Sequence, residues 1–182
     1  MSPLIVLSII WASFELIISI ILRSTKAKGI SFDRSSILII WLVLGLAVTA
    51  AVFESFRFNQ PSTLIYSLGL SIIIAGMILR ISAILSLKKR FTTTISIQND
   101  HSLKTDGLYS LIRHPSYTGS LISFAGLGIS FGNWLSFITL MLPITVVFIY
   151  RISLEEKMLS AHFGKKYEEY KVKTKRLIPL IY

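Results

Sequence analysis

The chain has 182 residues, a net charge of +10, 53% hydrophobic and only 15% charged residues, and a mean hydropathy of +0.69. A soluble domain carries about 25% charged residues, so this composition excludes an ordinary water-soluble fold. The absence of cysteine excludes disulfides, thiolate metal sites and cysteine nucleophiles.

In chain order, Pro3 to Leu22 is a 20-residue run with one charge, Glu15, long enough to span a bilayer. Met1, Ser2 and Pro3 give no basic start for a cleavable signal peptide. Arg23 to Ser36 is polar and basic. Ile37 to Phe53 is a second apolar run, and Glu54 to Ser62 a short connection in which Glu54 balances Arg57. Thr63 to Leu87 is a third run, interrupted only by Arg80 and closed by Lys88, Lys89 and Arg90. Arg80 is near enough to that basic end to snorkel.

Phe91 to Ser116 has no period of 3.6 or 2 and is predicted as loop with short helical pieces. Tyr117 to Tyr150 is 34 residues without a charge, broken near its middle by Gly132 and Asn133, which predicts a tight helical hairpin. Arg151 to Tyr182 is highly charged. Leu154, Met158, Leu159, His162 and Phe163 recur at helical spacing, so its first part is predicted as an amphipathic helix beginning at Arg151.

The fold class expected is therefore all-α: a polytopic membrane protein of about five transmembrane helices with a C-terminal helical hairpin. Four Lys and Arg lie in 23–36, five in 88–116 and eight in the tail, against one in 54–62. Three crossings and a hairpin put the three basic segments on one side, which the positive-inside rule makes cytoplasmic, with the N-terminus outside. Basic residues flanking apolar runs point to membrane lipids as partners and not to nucleic acid.

Two constellations carry candidate chemistry. Arg113-His114-Pro115 stands at the mouth of a span; Pro115 suits a first helical turn and holds His114 out of helical geometry. A histidine and arginine at a headgroup interface give the same pattern. Arg151 and Glu155, four apart, share a helix face, as does any exposed pair worth about 0.3–0.5 kcal/mol. Glu156 points about 100° away and is expected to be solvated. Gly126-Leu-Gly128 with Gly132 lies in an apolar span without a preceding strand, so it reads as close helix packing rather than a nucleotide loop. His101, His114 and His162 lack zinc-site spacing, and no metal is expected.

The run from Arg113 to Gly119, RHPSYTG, resembles the RHPSYxG signature of the isoprenylcysteine carboxyl methyltransferase family. Arg80 to Ile95 resembles the family's third-helix exit. His101 to Tyr109 resembles its H-x-L-V-x-x-G-x-Y segment, with Lys104 in place of Val. Arg151-Ile-Ser-Leu-Glu155-Glu156, Phe163-Gly-Lys-Lys-Tyr167-Glu-Glu-Tyr170 and Ile178-Pro179 follow its downstream pattern. The likeness covers roughly residues 70–182, the implied catalytic core, while 1–69 match only as generic N-terminal transmembrane helices.

The resemblance implies S-adenosylmethionine as methyl donor, in a cytoplasmic pocket without a Rossmann domain. It implies Gln98, His101, Ser102, Leu103, Lys104, Tyr109, His114, Pro115, Ser116, Tyr117 and Glu155 around that cofactor. Arg151, with Glu155 as its catalytic partner, would face the carboxylate of a prenylcysteine-like or other lipophilic acceptor arriving from the bilayer. Phospholipid N-methyltransferases, which share the His-Pro and Glu-Glu elements, remain an alternative, and membrane reductases of the sterol type another.

Overall fold

The structure is a computed structural model that describes residue 13 and residues 34–58, 61–87 and 103–179. The expected span 3–22, with Glu15, lies outside the described residues. Among the described residues every extended element is a helix: α1 (Arg34–Ser55), α2 (Thr63–Leu87), α3 (Pro115–Ser130), α4 (Trp134–Phe163) and α5 (Lys165–Lys173). A 3-10 turn, Gly107–Ser110, precedes α3. The expectation of loop with short helical pieces holds for the described part of that segment.

Among the described residues, three stretches have the length and composition to cross a membrane: Leu38–Ser55, Thr63–Leu87 and Trp134–Phe163. They carry large apolar side chains outward, including Leu38, Leu42 and Leu46 on α1, Leu64, Leu68 and Ile78 on α2, and Ile138, Leu142 and Val146 on α4. Such surfaces belong against lipid. Helix α3 has 16 residues; at 1.5 Å per residue it falls short of a hydrocarbon core of about 30 Å.

The boundaries follow from local chemistry. Pro115 occupies the first turn of α3, and Asn133 caps α4 by accepting a hydrogen bond from the Ser136 amide at 2.7 Å. Between them Gly132 has φ +68°, a left-handed conformation that glycine adopts without strain. Helix α4 ends where the Gly164 amide bonds the Ser160 carbonyl at 2.9 Å.

One expectation is corrected. No new helix begins at Arg151: α4 runs unbroken from Trp134 to Phe163. The sequence changes there from apolar to charged, but no glycine, proline or capping residue interrupts the backbone. The environment changes while the helix continues.

Small residues set the closest packing. Gly69 and Gly76 on α2 face Gly126 and Gly119 on α3, so the two helices run antiparallel. A Cβ at Gly119 would stand 2.6 Å from the Arg80 amide nitrogen, and one at Gly126 would stand 2.7 Å from the Gly69 carbonyl oxygen. The reading of Gly126 as a packing residue is thus correct. Gly119→Val is expected to force α2 and α3 apart at an overpacking cost of about 1–3 kcal/mol. A lowered thermal midpoint in detergent would register this; an unchanged midpoint would show the seam to be slack.

Helices α1, α3 and α4 share a core of Ala47, Ala51, Phe124, Leu140, Ile144, Val147 and Phe148. The C-terminal end of α1 meets the start of α4, where the Ser136 hydroxyl donates to the Ala51 carbonyl at 2.9 Å.

Candidate functional site

Helix α4 carries Arg151, Glu155 and Glu156 below its apolar half, and the start of α3 brings His114 to Tyr117 against them. His114 is the residue before α3, with φ −125° and ψ 56°. Its ring is buried and meets Tyr117 edge-on at 5.8 Å. The Tyr117 hydroxyl donates to Glu155 Oε2 at 3.1 Å and also engages Arg151, so the phenol links the two charged residues on the α4 face. His114 Nδ1 stands 4.0 Å from Glu155 Oε1. Arg151 is 3% exposed, whereas a third of the Glu155 side chain remains open.

The other sequence-predicted residues divide. Pro115 and Ser116 are buried, and the Ser116 carbonyl accepts a bond from Arg80 at 3.0 Å. Arg80 therefore turns inward to the start of α3 instead of snorkelling. Charged side chains within a span commonly pair with backbone carbonyls in this way. Tyr109 is buried, donates to the Ala83 carbonyl at 3.4 Å, and lies within electrostatic reach of Glu155 and Tyr117. Burial pushes its phenol well up from the usual range. Leu103 lines a separate cleft with Ser110, Tyr170 and Thr174, and Lys104 pairs with Asp106 at 2.8 Å. Gln98, His101 and Ser102 lie outside the described residues.

Glu156, expected to be solvated, is instead buried. Its rotation away from Glu155 aims it at Arg113, whose Nε donates at 2.9 Å, and at Arg176, whose Nη2 lies 2.7 Å away. Arg113 also donates to the Lys171 and Thr174 carbonyls. The chain after α5 folds back beside the residues preceding α3: the Arg113 amide bonds the Lys175 carbonyl at 2.7 Å and the His114 amide bonds the Arg176 carbonyl at 3.1 Å. Sequence reasoning missed this strap. The partners named above are 20 to 62 residues apart, and no helical period connects them.

Tyr167 is another omission. It is fully buried, and its hydroxyl has no hydrogen-bond partner among the described residues. It lies within electrostatic reach of Glu156, Arg113 and Glu155. A buried orphan hydroxyl calls for a ligand or water.

This donor set fits a cofactor with a positive sulfonium, a charged amino-acid end and an adenine ring. Glu155 and His114 offer acceptors, and Tyr117 and Tyr109 offer ring faces.

Residues 64–166 match the family described as phospholipid methyltransferase. The chain belongs to that family. Within it, the likenesses run to the isoprenylcysteine carboxyl methyltransferases, as the RHPSYTG run implied. The chain is 35% identical over 131 residues to the protein-S-isoprenylcysteine O-methyltransferase of Schizosaccharomyces pombe, covering 71% of this chain and 56% of that one. It is 37% identical over 119 residues to protein-S-isoprenylcysteine O-methyltransferase B of Arabidopsis thaliana, covering 64% and 60%. The solved structure of the eukaryotic intramembrane Ras methyltransferase, isoprenylcysteine carboxyl methyltransferase, superposes with TM-score 0.63 at 28% identity, over 82% of this chain and 55% of that one. The chain spans a little over half the length of these relatives. Membership accounts for the helical membrane architecture, and the matched region contains both Arg113 to Gly119 and Arg151 to Glu156.

Proposed function

We propose that this chain is an integral-membrane, S-adenosylmethionine-dependent methyltransferase. It acts on the carboxylate of a prenylcysteine-like or other lipophilic acceptor. The observation that carries the reading is Arg151: a buried guanidinium, at the foot of the apolar half of α4, beside Tyr117 and one turn from Glu155. Its planar fork suits a carboxylate. The names of the relatives support the same chemistry.

When bound, S-adenosylmethionine would supply the methyl group, and His114, Tyr117, Tyr109 and Glu155 would hold it. Carboxylate methylation needs no general base, because the nucleophile is ionised near pH 7. The chain's own contribution is alignment and exclusion of water, which can supply several kcal/mol. A lipid-borne acceptor enters sideways from the bilayer, and the soluble donor from the aqueous side. Residues 70–182 form the catalytic core in this reading.

Radiolabelled methyl transfer into membranes, followed by base treatment, tests the proposal. Methanol release marks an ester and supports it. Label stable to base and recovered in an amine lipid would replace it with phospholipid N-methylation, the reading favoured by the family's description.

The proposed orientation places the N-terminus outside and residues 88–116 and 151–182 in the cytoplasm. Ser62 and Thr105 are exposed, and the chain has no native cysteine. Ser62→Cys is expected to react with an impermeant maleimide from outside and Thr105→Cys only after permeabilisation. Labelling of Thr105→Cys in intact cells would reverse the orientation.

A further inference from the structure

Glu156 has no part in the cofactor or acceptor contacts proposed above, yet it is heavily bonded beside them. Its Oε1 accepts from Arg113 Nε at 2.9 Å and lies 3.4 Å from His114 Nε2. Its Oε2 accepts from Arg176 Nε at 2.9 Å and Nη2 at 2.7 Å. The other ring nitrogen of His114, Nδ1, is 4.0 Å from Glu155 Oε1, too far for a hydrogen bond. A neutral imidazole carries one proton, and among the described residues only the Nε2 edge has an acceptor within reach.

We propose that Glu156 is a positioning residue that holds His114 through its Nε2–H, so that the Nδ1 lone pair faces the site beside Glu155 and the two acceptors together take an ammonium group of the ligand. The inference rests on the methyltransferase reading for the ligand, but its geometry does not. The two arginines give it a further logic. They neutralise Glu156, so a ligand cation is drawn to Glu155, which is partly open, and not to its buried neighbour. Arg176 adds a backbone hold, since its carbonyl accepts the His114 amide. A carboxylate with both oxygens engaged fixes the ring edge as a metal ligand's outer partner fixes an imidazole tautomer.

The test uses the full chain in detergent. 15N spectra of the three histidines, assigned by single His→Gln substitutions and recorded once the rings are neutral, locate the His114 proton. The proton is expected on Nε2, and Glu156→Gln is expected to give a mixture of tautomers. Calorimetry then compares S-adenosylmethionine with 5′-methylthioadenosine, which lacks the amino-acid end. Glu156→Gln should weaken the first about tenfold and the second less than twofold. Arg176→Gln, which loosens the strap but leaves Glu156 in place, should lower the thermal midpoint and keep the tautomer. A wild-type proton on Nδ1, an unchanged tautomer in Glu156→Gln, or equal weakening of both ligands overturns the proposal. If the wild type binds no S-adenosylmethionine, the methyltransferase reading fails, and the wild-type spectrum still decides whether Glu156 holds Nε2.

Discussion

Arg151→Ala is expected to leave S-adenosylmethionine binding nearly intact and to reduce methyl transfer by about a hundredfold or more. The residue sits on α4 one turn, about 5.4 Å, closer to the apolar half than Glu155. Its guanidinium is buried beside the Tyr117 phenol. In the proposed reaction, a carboxylate carried in from the bilayer would meet that guanidinium before reaching Glu155. Removing it leaves a buried anion unpaired at the reacting end, a loss of about 2–5 kcal/mol for a hydrogen-bonded charge pair. Arg151→Lys should recover only part of the rate, because an ammonium is a point charge and cannot make two parallel bonds. The rate is measured with a farnesyl- or geranylgeranyl-cysteine analogue, and cofactor affinity separately. Equal loss of rate and affinity would move Arg151 into the cofactor site or the fold.

What the sequence disclosed, it disclosed through local rules. Pro115 marks the start of α3, and Gly132 with Asn133 marks the break before α4, because each acts on its own few bonds. Apolar runs of membrane length mark α1, α2 and α4 for the same reason. Arg151 misled as a helix start because a helix can pass from lipid to water without any change of backbone. Gly126 was legible as a packing residue, but its facing partner Gly69 was not, since nothing in the 56 intervening residues states which helices meet. The same limit hid Glu156. Arg113 and Arg176 lie 43 and 20 residues from it, and only the folded strap brings both to one carboxylate. The motif spelled out Glu155-Glu156 as a pair; the structure divides the pair, one carboxylate partly open and one buried among guanidiniums.

That division sets the second large effect, on cofactor affinity. Glu155 spends one oxygen on the Tyr117 hydroxyl at 3.1 Å, and its other oxygen has no bond to His114 at 4.0 Å. A carboxylate has about four acceptor positions, so Glu155 keeps capacity on its open side, and Glu156 has both oxygens engaged by arginines. Glu155→Ala should therefore weaken S-adenosylmethionine binding by about 1.5–3 kcal/mol, one charge-assisted hydrogen bond, which is roughly ten- to 150-fold. Glu155→Gln keeps an acceptor oxygen without the charge and should fall between. Glu168, an exposed glutamate on α5 paired with Lys171 at 3.0 Å, supplies the control: Glu168→Ala should leave affinity unchanged. Calorimetry on detergent-solubilised protein, with the thermal midpoint measured beside it, separates lost binding from lost folding. A well-folded Glu155→Ala protein with wild-type affinity would remove Glu155 from the pocket and leave the cofactor's amino group to His114 alone.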